Sequence, residues 1–177
     1  SLLTAEGATT KPEEAAVGYV AHYFSKVPTD TAPNLAGHVA KTFLGTRIQC
    51  AQCHDHPYEK ITQKDFWGFA AYFGRMTLKP IKKDQQRLEG LEIRESGRGE
   101  VRMPDTDKPV TPRYLDGSTG TGSSRREQVA GLITAKSNKA FGRALVNWMW
   151  HHFFGAGFVN PVDDFSSLNR PSIPEVL

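Results

Sequence analysis

Apolar side chains recur at helical spacing along several stretches of this chain, separated by proline, glycine and polar residues that mark where each helix must stop. Within residues 12–24, Val17, Val20, Ala21 and Phe24 fall at i, i+3, i+4 and i+7. Pro12 suits a first helical turn, and Glu13 and Glu14 sit favourably near the positive end of the helix dipole. Pro28 and Pro33 interrupt the pattern, and Asn34 is placed to cap a second helix through Leu35, Val39, Ala40, Phe43 and Leu44. That helix delivers the chain to residues 50–54. Beyond Pro57, Thr62 and Asp65 have the spacing of a capping box. Phe66, Phe69, Ala70 and Phe73 then form a stripe at helical spacing, flanked by Trp67.

Between residues 79 and 122 the pattern changes. Lys79, Lys82, Lys83 and Arg87 precede alternating residues 91–95, a glycine-bearing stretch 96–99 and a second alternating stretch 100–103, which predicts a β-hairpin. The lysines could form a docking face for a redox partner, although such a run is usually a solvated face. Pro104, Pro109 and Pro112 discourage a long helix after it. Residues 117–124 are almost all Gly, Ser and Thr, a flexible loop that divides the chain into 1–116 and 125–177. Helix returns with a capping box from Ser124 to Glu127, ahead of Val129, Leu132 and Ile133. A last helix starts near Asn138, carries Phe141, Leu145, Trp148 and His152 on one face, and ends at Gly155.

Cys50-Ala51-Gln52-Cys53-His54 is the stretch that points to a chemistry, and it contains both cysteines of the chain. A CxxCH sequence has the form of a c-type haem attachment site. Its two thiols add across the two vinyl groups of one haem, and the histidine that follows becomes the proximal iron ligand. Other readings compete. A thioredoxin-like pair is expected at a strand-to-helix turn of a βαβ pattern, and none surrounds this one. Cys50, Cys53, His54 and His56 are all acceptable zinc ligands, but structural zinc sites usually pair two clusters far apart in sequence. These arguments rank haem before zinc and zinc before an inert pair. The fold expected is mainly α, a helical cytochrome c-like haem domain with a small β-hairpin insert and one haem c per chain. Phe66, Phe69 and Trp148 are the expected apolar walls of its pocket.

Composition narrows the picture further. With 177 residues, 38% of them hydrophobic and 10% aromatic, the chain can bury a real core. No apolar run approaches the ~20 residues that cross a bilayer, and residues 1–10 lack the features of a signal segment. Because haem is attached to such motifs outside the cytoplasm, a mature or trimmed periplasmic or otherwise extracytoplasmic chain is expected. A net charge of +3 is too small to argue for nucleic acid.

The run Phe43-Leu44-Gly45-Thr46-Arg47-Ile48-Gln49-Cys50-Ala51-Gln52-Cys53-His54-Asp55-His56-Pro57, continued by Thr62-Gln63-Lys64-Asp65-Phe66-Trp67-Gly68, resembles the cytochrome-type domains of unknown function abundant in planctomycetes and related bacteria. Arg143-Ala144-Leu145-Val146-Asn147, then Trp150, His152, Phe154-Gly155, Gly157 and Pro161-Val162-Asp163-Asp164-Phe165, resemble the start of the second domain that usually follows. Together the two runs cover most of the chain from Asn34 onward. The resemblance implies exported proteins with a CxxCH motif, often joined to other haem or carbohydrate-related modules, and it implies no settled reaction. Trp148 stands where the family more often has arginine, and Ile173 where it often has histidine. A salt bridge or propionate contact from that arginine is therefore not carried over.

The sixth iron position separates electron transfer from ligand binding or catalysis. His22, His38, His56, His151, His152, Met76, Met103 and Met149 are the candidates. His56 is too near His54 in sequence to reach the opposite haem face, so its expected role is to orient the attachment loop with Asp55 or to hydrogen-bond a propionate. His152, remote in sequence and on the face with Trp148 and Leu145, is the first choice, ahead of Met76 and then His22. The expected function is single-electron transfer. The rivals are a haem enzyme or gas-binding domain with an open distal side, and a zinc-stabilised interaction module.

Overall fold

A computed structural model describes every residue of the chain except 1, 24, 26, 85 and 86. Among the described residues five α-helices are formed: α1 (Val17–His22), α2 (Pro28–Val39), α3 (Gln63–Ala70), α4 (Arg125–Ile133) and α5 (Lys139–Phe154). Three strands, β1 (Gly7–Ala8), β2 (Met76–Lys82) and β3 (Leu88–Glu95), make one antiparallel sheet in the order β1-β3-β2. The molecule is thus mixed, 38% helical and 11% strand.

This corrects the expectation of a mainly α, helical cytochrome c-like haem domain. The sheet is not an appendage on a helical body: Ile93, paired with Leu78 on β2 and Gly7 on β1, is fully buried in the same core as Leu35, Val39, Phe66 and Phe69. Nor do three or more His, Cys, Asp or Glu side chains converge as a metal-holding group among the described residues.

The helices begin where local chemistry tells them to. At α3, the Thr62 hydroxyl accepts from the Asp65 N–H while the Asp65 carboxylate accepts from the Thr62 N–H at 2.9 Å. Ser124 and Glu127 repeat the arrangement at α4. Asn138 caps α5 through the Ala140 N–H, and Gly155, at φ 80°, closes it.

Three sequence expectations shift. Residues 12–24 do not form one helix: a 3₁₀ turn (Pro12–Glu14) precedes α1, because the Glu14 carboxylate turns back to accept from the Ala8 N–H. Phe24, the last position of the expected stripe, lies outside the described residues. The second helix starts at Pro28, not at Asn34, and keeps Pro33 inside it. The lost backbone bond is outweighed by burial of Ala32, Leu35, Ala36 and Val39 on one face.

The β-hairpin also pairs differently. Residues 88–95 meet the upstream strand β2, while residues 100–103 contribute an isolated bridge between Arg102 and Pro109. Lys79 and Lys82, expected only as a charged run ahead of the hairpin, lie with Pro80 on β2, an edge strand, where a missing N–H is tolerated and charges face water.

One feature leads the chain into the motif. After α2 the chain winds on through a wider turn (Ala40–Leu44) and reverses at Gly45, whose φ of 64° favours glycine. A separate polar cluster holds the N-terminal segment: Arg126 of α4 is only 1% exposed. It donates to Glu95 at 2.9 Å, to the carbonyls of Leu3 and Ala5, and to Glu6, tying the N-terminal segment and β3 to α4.

Candidate functional site

Residues 49–52 form a single 3₁₀ turn, with Cys53 as its C-terminal cap. Cys50 thus lies within the turn and Cys53, three positions on, closes it. Both thiols are free and exposed. Ala51 between them is fully buried and, with buried Ile48, roots the turn in the core. Gln52 faces a third direction and lines a groove of about 530 Å³ with Trp67, Ala32, Pro33, Val101 and Met103; neither cysteine lines that groove.

The turn is held from α3. The Trp67 indole N–H donates to the Gln52 carbonyl at 3.0 Å, and the Gln63 amide donates to the carbonyls of Gln52 and Cys53 at 3.3 and 3.2 Å. In return the Asp55 carboxylate accepts from the Gln63 N–H at 2.8 Å, placing a negative group at the helix N-terminus. The Gln52 and Cys53 carbonyls are thereby occupied while both thiols are left free.

The two histidines of the loop are held in opposite tautomers. His54 Nδ1 lies 2.7 Å from the Asp55 carbonyl oxygen. A carbonyl only accepts, so the proton is on Nδ1, and in the neutral ring Nε2 keeps its lone pair for a ligand. His56 Nδ1 instead accepts from the N–H groups of Tyr58 and Glu59, at 3.3 and 3.0 Å, so its lone pair is used inside the loop. An Nδ1–H bonded to a carbonyl is the support that metal-ligating histidines usually have.

These residues fit a haem held by two thioethers and one histidine better than a zinc site. Zinc needs four converging ligands. Haem asks the protein for two thiols at this spacing and one imidazole with a free nitrogen.

The other expected site residues are placed elsewhere. Phe66 and Phe69 are fully buried in the protein's own core, where Phe66 meets Trp67 edge-on and Phe69 meets Tyr72, Phe73 and Tyr114. Trp148 lines a separate apolar depression with Thr42, Phe43, Phe141 and Leu145. His152 is exposed on α5, with its ring against Phe153. Met76 lies partly buried on β2, and His22 ends α1, its ring edge-on to Tyr23. The face of α5 turned inward carries Ala144 and Asn147, so Leu145, Trp148 and His152 look outward.

Several site residues were not visible from spacing. Gln63 and Trp67 stand in the run that carries the resemblance, but their bonds to the loop carbonyls are tertiary and cannot be read from spacing. Asp163 pairs with Arg47 at 2.5 Å and Lys41 at 2.9 Å across more than a hundred residues of sequence. Asn147, fully buried, bonds Val159 and the Val162 carbonyl and so fixes the segment that leads to Asp163.

Residues 4–77 match the family model PSCyt2, a protein of unknown function (DUF1549), and residues 125–177 match PSD1, a protein of unknown function (DUF1553). Comparison with curated proteins and with solved structures gave no match. The chain therefore carries matches to two planctomycete-type domains of unknown function, the first containing the CxxCH motif and the second starting with helix α4.

Proposed function

We propose that this chain carries one covalently attached haem c outside the cytoplasm and transfers single electrons through it. The observation that carries the reading is the presentation of the motif: two exposed thiols three positions apart at a 3₁₀ turn and its cap, and His54 with its proton held on Nδ1 by the Asp55 carbonyl at 2.7 Å. Cys50 and Cys53 would be the thioether anchors, each S–H adding across one vinyl group with no atom lost. His54 would be the proximal ligand through Nε2. When bound, the haem supplies an iron that exchanges one electron at a time. The chain's own part is to hold His54 in one tautomer, to keep the anchors exposed for attachment, and to take up the Gln52 and Cys53 carbonyls with Gln63 and Trp67. His56, with Nδ1 bound to the loop backbone, stiffens residues 56–59 rather than ligating iron.

His152 is kept as the proposed distal ligand, and its exposed position makes the open distal side the reading to test against it. Expression in a host with c-type maturation, followed by intact mass and absorption spectra, tests both. A gain of one whole haem that survives denaturation supports attachment, and Cys50→Ala should lose one thioether while His54→Ala disturbs the axial field. A low-spin six-coordinate spectrum altered by His152→Ala supports the distal assignment. A spectrum insensitive to that change removes His152, and an unmodified mass removes haem.

A further inference from the structure

Residues 163–167, which belong to the second matched region, touch the chain on both sides of the motif. Upstream, the nearly buried Asp163 carboxylate accepts from Arg47 Nε at 3.1 Å and Nη2 at 2.5 Å and pairs with Lys41 Nζ at 2.9 Å. The Phe165 N–H donates to the Gly45 carbonyl at 2.7 Å, and its ring covers Gly45 so closely that a Cβ there would collide with it. Arg143 of α5 stands 5.6 Å over the centre of that ring. Downstream, the Ser167 N–H donates to the Glu59 carboxylate at 2.6 Å and its hydroxyl to the Tyr58 carbonyl at 3.4 Å.

The motif is thus bracketed: residues 41–47 before it and 58–59 after it are bonded to one short segment. Between those anchors the chain has no regular structure except the turn at 49–52. A loop of this kind opens readily unless its ends are held, since ordering each residue costs on the order of 1–2 kcal/mol. The strap also gives Lys41 and Arg47 a common counter-ion in place of mutual repulsion.

We propose that residues 163–167 act as a strap that keeps the thiols and His54 in register, with Asp163 as a positioning residue acting through Arg47 and Lys41. What the register serves rests on the haem reading; the strap itself does not, because it is measurable on the haem-free chain.

The test uses the full 177-residue chain without haem. Hydrogen exchange is followed by mass spectrometry over residues 46–60, together with iodoacetamide alkylation rates at Cys50 and Cys53. Asp163→Asn should raise exchange across 46–60 about tenfold and change the alkylation rates, and Asp163→Glu should restore part of the protection. Glu59→Ala, at a partly exposed position, should loosen residues 55–60 and leave 41–47 unchanged, which keeps the test usable if Asp163→Asn does not fold. Ile93→Val, a core change on β3 with no bond to residues 163–167, is the control for general destabilisation. Exchange at 46–60 unchanged in Asp163→Asn and Glu59→Ala, or raised no more than in Ile93→Val, overturns the strap. Haem loading is read separately. Loosened loops in the variants, with a wild-type chain that never takes haem, leave the strap standing and remove the attachment reading. A wild-type chain that loads haem, with variants showing native exchange, does the reverse.

Discussion

The Arg126 network and the CxxCH loop are both dense in polar groups, and they treat them in opposite ways. Around Arg126 the guanidinium is buried, and its donors end on the carboxylates of Glu95 and Glu6 or on backbone carbonyls. In the loop, hydrogen bonds take up the Gln52 and Cys53 carbonyls and one nitrogen of each histidine, while both thiols and His54 remain exposed. A fully satisfied buried network fixes structure, since any unpaired member is costly there. A site whose framework is satisfied and whose reactive atoms are not is organised to receive something. The comparison teaches which polar clusters to read as scaffold and which as chemistry.

The largest effect that could break this distinction is Arg126→Met. It takes the guanidinium from Glu95 Oε2 and from two carbonyls, leaving Glu95 only the Arg125 N–H on Oε1, at a cost of about 3–5 kcal/mol in denaturant unfolding. Loop exchange measured well below the unfolding midpoint should remain native; a loss below about 1 kcal/mol would mean that the buried network is not the anchor. Gly45→Ala comes next. It forces a Cβ into the left-handed region and against Phe165, for roughly 1–3 kcal/mol, and the loosening should be local to the motif loop. Equal loosening throughout the chain would erase the contrast between the regions.

Acid should produce the smallest effect. Hydrogen bonds from Arg75 and Arg125 hold the Glu100 carboxyl below its ordinary 4.5. Burial pushes the Asp163 carboxyl up, but hydrogen bonds and charge from Lys41 and Arg47 outweigh it and hold the group below its ordinary 3.8. A depressed carboxylate stabilises the folded state at pH above its unfolded value and loses that contribution as pH falls through its folded value. Thermal midpoints should therefore be flat from neutral pH to about 4.5 as far as these two groups are concerned, and fall below it. In Asp163→Asn the part of the fall that begins below 3.8 should shrink; an unchanged acid profile would show that Asp163 gains nothing from its two partners. Burial, with the charges of Lys41 and His22 beside it, also keeps His38 below its ordinary 6.5, which adds a shallow loss as pH drops under that value.

What the sequence made legible follows the range of the interactions. Both capping boxes and the Asn138 and Gly155 ends of α5 depend on residues within four positions of one another, and they were readable. The start of α2 was not, because burial on one face carries Pro33 into a helix that propensity alone would end. The hairpin was displaced because pairing chose β2, an edge strand disguised by Pro80 and its lysines. The stripe of Phe66 and Phe69 was read as a pocket wall, since periodicity reports an apolar face without saying what covers it. At the candidate site, Cys50, Cys53 and His54 were singled out by spacing alone. The contribution of Asp163 could not be, because it is made by tertiary contact with Arg47 and Lys41.

Ala51 carries a consequence of its own. Its methyl group has no exposed surface, so the position between the cysteines is a volume constraint as well as a spacer. Spacing describes the five-residue signature by its two cysteines and its histidine, and the fold adds a limit on size at 51. A bulky residue at 51 would leave every reactive atom in the text and lift the whole turn off its footing.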